Sequence, residues 1–286
     1  MSESVDGPMT LARLLEIYTA ANECSPRYVE SLRRTVKKAE AIGLEHVCQL
    51  EPDAVNTMLA QLPTSAVTRS NVRRELLTLW RFAYERHWTD VYPARIRKIR
   101  VAFAPVCAWT PEELRRILAA AVADETPISR RHGILVRDAL PAWTLINYDT
   151  ALRFGDMHRL ASHQFVNDCV MLCESKTRKT AVRRLRGETM AAAQALLARS
   201  PDGSMFLWFM PRRRAFATWR SFLDRHRFRG SVRWFRRSAA TQVHKVRIGA
   251  ARELLQHSAD YLQYRHYLDQ SQLEDHPSPP PVFGPP

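Results

Sequence analysis

Residues 233–267 read RWFRRSAATQVHKVRIGAARELLQHSADYLQYRHY, and this stretch decides how the rest of the chain is interpreted. It contains two arginines three residues apart, Arg233 and Arg236, then His257 at the close of a helical pattern, and then Tyr267 ten residues later. Arginine binds phosphate oxygens through paired hydrogen bonds, and a tyrosine hydroxyl can form a covalent phosphoester. The set therefore indicates a site that can break a phosphodiester bond without a metal.

The charge of the chain points to the same class of partner. Its 286 residues include 43 Lys and Arg against 29 Asp and Glu, which gives a net charge of +14 and an isoelectric point near 10.1. Such an excess is expected when the partner is a polyanion, and nucleic acid is the default interpretation. An anionic membrane surface is the alternative, but the basic residues are spread along the chain and do not flank an apolar anchor.

Two further patterns, the lack of long apolar runs and the cysteine spacing, narrow the class of protein that we expect. The sequence has no 18-residue apolar run and no N-terminal signal pattern, so we expect a cytoplasmic protein. Its five cysteines are odd in number and form no CxxC pair. This spacing favours reduced thiols over disulfides or a zinc site, and we expect neither a metal nor another cofactor.

Apolar periodicity in residues 1–92 predicts a module of four helices joined by short loops. The expected helices cover residues 9–21, 26–43, 51–62 and 65–87. Basic residues lie on the polar faces of the second and fourth helices, and others follow in a basic linker over residues 93–109. Its first part, residues 93–100 directly after Tyr92, has a composition suited to an extended strap, and we expect a hinge here. Any single one is most simply a solvated surface residue, but together with the net charge they favour contacts to DNA phosphates. The DNA-binding candidates are Arg33, Arg34, Lys37, Arg69, Arg73, Arg97, Lys98 and Arg100.

A second domain is predicted over residues 110–270. It begins at Thr110, where Thr-Pro-Glu-Glu is typical of a capping box. We expect a core helix over residues 134–148, kinked at Pro141, and then two strands over residues 165–172 and 180–185, joined by a basic turn. A helix over residues 187–199, a short strand or turn over residues 204–208, and an arginine-rich helix over residues 212–227 are predicted to follow. Residues 271–286 form a proline-rich tail that we expect to be extended.

Residues 150–160, TALRFGDMHRL, resemble the first arginine box of the tyrosine recombinases, the phage-integrase family, which usually reads TGLRxGE…L. Alanine stands for the usual glycine and aspartate for the usual glutamate. The resemblance assigns the first catalytic arginine to Arg153. In this family a hairpin after the box carries a catalytic lysine, and the Ser-Lys-Thr turn points to Lys176, with Lys179 as the weaker candidate.

The opening stretch is similar to the family's last two boxes. RWFRRSAATQV is similar to HxLRHTFAT, so Arg236 matches the box arginine and Arg233 stands where histidine is usual. LLQHSADYLQYRHYL resembles LGHSSxxTTxxYxH, which gives His257 for the box histidine. The family's usual gap of nine residues ends at His266, and a gap of ten ends at Tyr267, inside an RHYL ending that resembles an integrase subgroup with a basic residue in the second box.

The resemblance implies an α+β fold that is mostly α. A four-helix, SAM-like DNA-binding module would precede a helical catalytic domain with a small antiparallel β-sheet. It also implies a site-specific recombinase that cuts and rejoins double-stranded DNA through a 3′-phosphotyrosine, without metal or ATP, and acts as a homotetramer on DNA. The implied catalytic residues are Arg153, Lys176, Arg233, Arg236 and His257, with Tyr267 as the nucleophile.

Two alternatives remain at this stage. A DNA-binding protein that has the recombinase fold without catalysis would explain Arg233 and the shifted tyrosine. A type IB topoisomerase would share the chemistry, although a separate N-terminal helical module fits an integrase better.

Overall fold

A computed structural model describes residues 8–102, 104–175, 177–200, 203, 210–256 and 261–273, apart from the side chains of residues 261 and 263. The chain divides into two compact units, one up to residue 103 and one from residue 104. None of the helices in the described part of the chain is both long enough and apolar enough to cross a lipid bilayer.

The first unit contains four α-helices, which confirms the predicted module. They are α1 (Leu11–Ala21), α2 (Pro26–Glu40), α3 (Pro52–Gln61) and α4 (Ala66–Glu85). The hydroxyl groups of Thr10, Ser25 and Ser65 cap the first, second and fourth helices by accepting from backbone N–H groups of the first turn. Leucines from all four helices meet in one core around the buried Trp80.

The strap at residues 93–100 is bound to this first unit. Ile96 is buried in its core, and Arg73 of α4 donates to the Ile96 carbonyl at 2.9 Å. Asn56 of α3 accepts from the backbone N–H of Arg97 at 2.9 Å and donates to the carbonyl of Arg95. The strap therefore has no regular secondary structure, yet its backbone is anchored to two helices.

The second unit opens with α5 (Pro111–Ala123), and Thr110 and Glu113 form the predicted capping box. A hairpin of β1 (Pro127–Ser129) and β2 (Ile134–Leu135) follows, which the sequence did not predict. The core helix α6 (Val136–Thr150) consequently begins two residues later than expected. Its first turn is capped by Asp138, whose carboxylate accepts from the Leu135 N–H.

The sheet next to the site has three antiparallel strands, β3 (Phe165–Val166), β4 (Cys169–Cys173) and β5 (Thr180–Arg184), in that order. The single strand predicted over residues 165–172 is therefore wrong. Asn167 has a φ of +53°, which turns the chain between β3 and β4. Asparagine adopts this left-handed conformation more readily than most residues, and it is the signal that the alternation of apolar residues concealed.

The remaining helices are α8 (Gly187–Leu197), α9 (Arg212–Arg225), α10 (Arg233–Val246), α11 (Ala250–Leu255) and α12 (Tyr261–His266), and the short α7 (Phe154–Met157) lies between α6 and the sheet. The strand or turn expected at residues 204–208 lies outside the described residues, as does the tail from residue 274 onward. Residues 270–272 form a 3-10 turn.

Two apolar clusters hold the second unit together around α10. The larger one contains the buried aromatic residues Trp109, Trp143, Trp219 and Phe235. The smaller one joins α10 to the end of α6, to α11 and to the segment after α12, through the buried residues Ala151, Ala239, Ala240, Ala251, Leu255 and Leu268. Because α10 contributes to both clusters, its side chains are fixed relative to three neighbouring segments.

Candidate active site

Arg153 lies at the junction that ends α6. Ala151, the C-cap of this helix, has a φ of +48°, and Arg153 is the extended residue that precedes α7. The guanidinium of Arg153 donates to Oε2 of Glu174 at 2.6 Å, and 22% of its side chain is exposed. The first predicted arginine is therefore held by a carboxylate but remains accessible.

Arg236 lies on the inner side of α10, with only 5% of its surface exposed. Its guanidinium donates to the carbonyl of Ala151 and, at 3.1 Å, to the carbonyl of Leu255 at the end of α11. Burial lowers the pKa of Arg236 to about 10, an effect that Tyr267 opposes and the charge of Arg153 reinforces. Arg236 still carries its charge at neutral pH, so the site contains a fixed cation.

Tyr267 immediately follows α12, and its ring centre lies 5.2 Å from Cζ of Arg236. Tyr264 packs against another residue, with its ring 5.4 Å from the ring of His244 in an edge-to-face arrangement. His266, the residue at the family's usual spacing, is exposed. Among these described candidates, Tyr267 is the one that lies against the second arginine.

The turn that contains position 176 is tied to the site on both sides. Asp156 is fully buried on α7, and its Oδ1 accepts from the backbone N–H and the hydroxyl of Ser175, at 2.9 and 2.6 Å, and from Arg159. Burial alone would raise the pKa of Asp156, but these hydrogen bonds lower it overall. On the other side, the Thr177 hydroxyl donates to Oε2 of Glu174 at 3.0 Å.

Of the remaining predicted catalytic residues, Lys176 and His257 lie outside the described residues. Arg233 is exposed at the first position of α10, one helical turn before Arg236. Lys179 is exposed at the end of the turn. The structure thus brings Arg153, Arg236 and Tyr267 together, and it places Arg233 on the same helix as Arg236.

Solved structures share this architecture. A λ integrase dimer bound to a COC′ core site matches with a TM-score of 0.71 and 17% identity, over 96% of this chain and 81% of that one. A λ integrase tetramer bound to a Holliday junction matches with a TM-score of 0.70, 16% identity and the same coverage. The Tn1549 transposon integrase in complex with circular intermediate DNA matches at 0.67, with 13% identity over 90% and 95% of the two chains. The XerH site-specific recombinase bound to difH substrate matches at 0.64, with 16% identity over 92% and 83%.

The chain has the integrase fold. No family model matches the sequence, and no curated protein does either. At identities below 20%, the likeness to these proteins is one of architecture alone.

Within this integrase fold, the site contains two charged residues that the sequence analysis did not predict, Glu174 and Arg183. Glu174 is fully buried, and its Oε1 lies 3.9 Å from Nη2 of Arg183, a distance too long for a hydrogen bond. Neither of these two atoms has a hydrogen-bond partner among the described residues. The period-2 pattern of β5 places Arg183 on the same face as the buried Ala181, and this was the available signal. Glu174 had no comparable signal.

The DNA-binding candidates of the first unit fall into two groups. Arg33, Arg34 and Lys37 on α2 are exposed, and the first two also pair with Glu30. Residues Arg69, Arg97 and Arg100, together with Asn56 and Ile99, line a groove of about 310 Å³. Lys98 is exposed on the strap, and Arg73 is half-buried beneath it.

Proposed function

We propose that this protein is a site-specific DNA recombinase of the tyrosine recombinase class. The observation that carries the proposal is the convergence of two arginines and one tyrosine from three separate segments: Arg153 after α6, Arg236 on α10 and Tyr267 after α12. The fold shared with integrases that were solved on DNA supports the same class.

The proposed reaction needs only the groups of the chain and the DNA. The hydroxyl oxygen of Tyr267 attacks the scissile phosphorus and releases its proton to solvent water. The bond from phosphorus to the 5′-oxygen breaks, and the 5′-oxygen takes a proton from the acid of the turn. The products are a 3′-phosphotyrosine and a 5′-hydroxyl. Because the phosphotyrosine is an ester of similar kind, the 5′-hydroxyl of a second strand can displace the tyrosine, and strands are rejoined without ATP.

Each predicted residue receives one role in this proposal. Arg153 and Arg236 bind the non-bridging oxygens, where negative charge develops in the transition state. Lys176, with Lys179 as the weaker candidate, gives a proton to the leaving 5′-oxygen. Arg233 and His257 assist at the phosphate; an arginine at position 233 supplies a contact but no proton transfer, since it stays protonated at neutral pH.

The rest of the chain has a binding role in the proposal. The first unit and its strap bind the DNA backbone through Arg33, Arg34, Lys37, Arg69, Arg97, Lys98 and Arg100, and the second unit is the catalytic domain. Arg73, also predicted to bind DNA, instead supports the strap by donating to the Ile96 carbonyl. We also propose that the protein acts as a homotetramer on double-stranded DNA. The λ integrase tetramer on a Holliday junction supports this assembly by analogy of fold.

The deciding experiment is covalent trapping. Duplexes enriched from a random pool by binding to the protein are resynthesised with a nick near each candidate scissile position, so that the cut end diffuses away and the adduct accumulates. The wild-type protein and Tyr264→Phe should trap DNA, whereas Tyr267→Phe should bind the same duplex and trap none. The matched tyrosine variant controls for loss of an aromatic hydroxyl near the helix α12.

Two results would contradict the proposal. If peptide mapping placed the adduct on Tyr264, the assignment of the nucleophile would be wrong. If the wild-type protein bound its enriched duplexes but formed no adduct on any nicked form, the chain would be a DNA-binding protein with the recombinase fold and no catalysis.

A further inference from the structure

The segment directly after Tyr267 is held in place both by apolar packing and by hydrogen bonds. Leu268 is fully buried in the small apolar cluster of α10 and α11. The next residue, Asp269, is only 6% exposed, and its backbone N–H donates to the hydroxyl of Thr241 on α10 at 3.0 Å. The candidate nucleophile is thus followed by two buried residues, one anchored by packing and one by hydrogen bonds.

The carboxylate of Asp269 accepts further hydrogen bonds, from Ala108 and from residues 271 and 272. Its Oδ2 accepts from the backbone N–H of Ala108 at 2.8 Å and from Nε2 of Gln272 at 3.1 Å. Its Oδ1 accepts from the backbone N–H and the hydroxyl of Ser271, at 3.1 and 2.6 Å. A buried carboxylate with this many donors is fixed in position, and loss of its bond to Ala108 would leave a buried backbone N–H unpaired.

These bonds fix the position of the segment after Tyr267 relative to α10, the helix that carries Arg236. Thr241 lies five residues after Arg236, or about 7.5 Å along α10. The neighbouring Gln242 donates to the side chain of Gln272 at 3.2 Å, which adds a second bridge from the same helix. Position 269 is therefore set by the helix that also sets Arg236, and Tyr267 is only two residues away.

We propose that Asp269 is a positioning residue for Tyr267. It fixes the backbone after the tyrosine to α10 and to Ala108, and so holds the phenol of the same subunit beside Arg236. Asp269 itself touches neither the substrate nor the reacting atoms. The inference rests on the proposed function, since it assumes that Tyr267 is the nucleophile.

The test uses Asp269→Asn in the full-length protein. An amide of the same shape places an N–H₂ group against donors that the carboxylate accepts from, on whichever side it faces. Single-turnover trapping on the nicked duplex at saturating protein should slow by at least tenfold, while the Kd for the uncut duplex changes by less than about twofold. Asp224→Asn, the same substitution at an exposed aspartate of α9, should leave both values unchanged.

A second substrate separates the nucleophile from the leaving group. A sulfur at the 5′-bridging position leaves without needing a proton. The defect of Asp269→Asn relative to the wild type should persist on this substrate, because a better leaving group does not reposition a phenol. Gln272→Ala removes three side-chain hydrogen bonds of the same network, those with Asp269, Ala108 and Gln242, but leaves the Asp269 carboxylate in place. It should show a smaller defect of the same kind, and it guards against a folding failure of Asp269→Asn.

The outcomes are distinct. A wild-type trapping rate in both Asp269→Asn and Gln272→Ala would overturn the inference alone. A parallel loss of DNA affinity and thermal stability in both variants would show a merely structural role and also overturn it, as would full rescue by the sulfur substrate. No adduct with the wild-type protein would overturn the proposed function and the inference with it.

Discussion

Arg236 is almost fully buried, yet two of its guanidinium nitrogens bond to backbone carbonyls, at Ala151 and Leu255. The fully buried carboxylate nearby, Glu174, is bonded to Arg153 and lies 3.9 Å from Arg183. The Glu174 carboxylate thus lies close to the guanidinium groups of Arg153 and Arg183, and its charge also acts on Arg236. Because buried charge is costly unless it is compensated, this local excess of positive charge suits a site that receives an anion.

The prediction at the residue scale concerns which side chain gives a proton to the leaving 5′-oxygen. If Lys176 is the acid, as proposed, Lys176→Ala leaves the 5′-oxygen without its proton donor, and cleavage of the ordinary substrate should fall by about 100- to 10,000-fold. On a substrate with 5′-bridging sulfur, which leaves without protonation, the rate of Lys176→Ala should return to near that of the wild type. Rates of adduct formation on the two nicked substrates measure both effects.

Arg153→Ala is the control for that experiment. Its loss removes charge stabilisation of the non-bridging oxygens, at a cost of about 3 kcal/mol or more, and sulfur at the bridging position does not replace it. Equal impairment of Lys176→Ala and Arg153→Ala on the sulfur substrate would remove Lys176 from the acid's role. Lys179→Ala, tested beside them, shows which lysine of the turn acts.

At the scale of elements, the contacts of the strap give different roles to Arg73 and Arg97, which were both predicted to bind DNA. Arg97 is exposed and lines the groove with Arg69, whereas Arg73 uses its guanidinium to hold the Ile96 carbonyl. Arg97→Gln should therefore weaken DNA binding without lowering the Tm. Arg73→Gln should lower the free energy of unfolding by about 1–3 kcal/mol, because it breaks a half-buried, charge-assisted hydrogen bond.

Thermal unfolding and DNA affinity, measured on both variants, decide between these roles. A loss of affinity in Arg73→Gln with an unchanged Tm would mean that Arg73 contacts phosphate after all. An unstable Arg97→Gln would show that the strap depends on this side chain and not on the Asn56 contact alone.

The sequence predicted helices well and strands less well, for a physical reason. Capping residues and 3.6-residue periodicity are local, so helices α1 to α4, α6, α8 and α9 were placed to within a few residues, and the start of α5 was placed correctly. The β1–β2 hairpin was missed because its strands are only three and two residues long, too short to show alternation. Arg153, Arg236 and Tyr267 were predicted from their resemblance to family motifs. Glu174 and Asp269 had no such motif, because their hydrogen bonds join them to Arg153 and Ala108, which are 21 and 161 residues distant in sequence.

At the scale of the whole molecule, both units carry a net positive charge, about +3 in the first and about +11 in the second. If both bind the DNA backbone, affinity should fall steeply with salt, with a slope of log K against log salt of about −0.9 for each phosphate contacted. Removal of residues 1–103 should make the slope shallower, because the contacts of the first unit are lost. Binding is measured at several salt concentrations for both proteins.

The truncated protein is first checked for a cooperative thermal transition, since the second unit has its own apolar core and should fold alone. A folded second unit with the same slope as the full chain would show that the first unit does not contact DNA. A shallow slope in the full chain would argue against backbone contacts as the main source of affinity.

The left-handed conformation of Ala151 has an evolutionary consequence. The first box usually has glycine at this position, and an alanine with a φ of +48° destabilises the folded state by about 1–2 kcal/mol for steric reasons. Against this, alanine restricts the unfolded chain, which stabilises the folded state by about 0.5–1 kcal/mol, and burial of its methyl group contributes about 0.8 kcal/mol. These terms nearly cancel, so glycine and alanine are almost interchangeable here. Drift between them is close to neutral, and a sequence pattern that insists on glycine would reject chains whose backbone follows the same path and presents the same carbonyl to the second arginine.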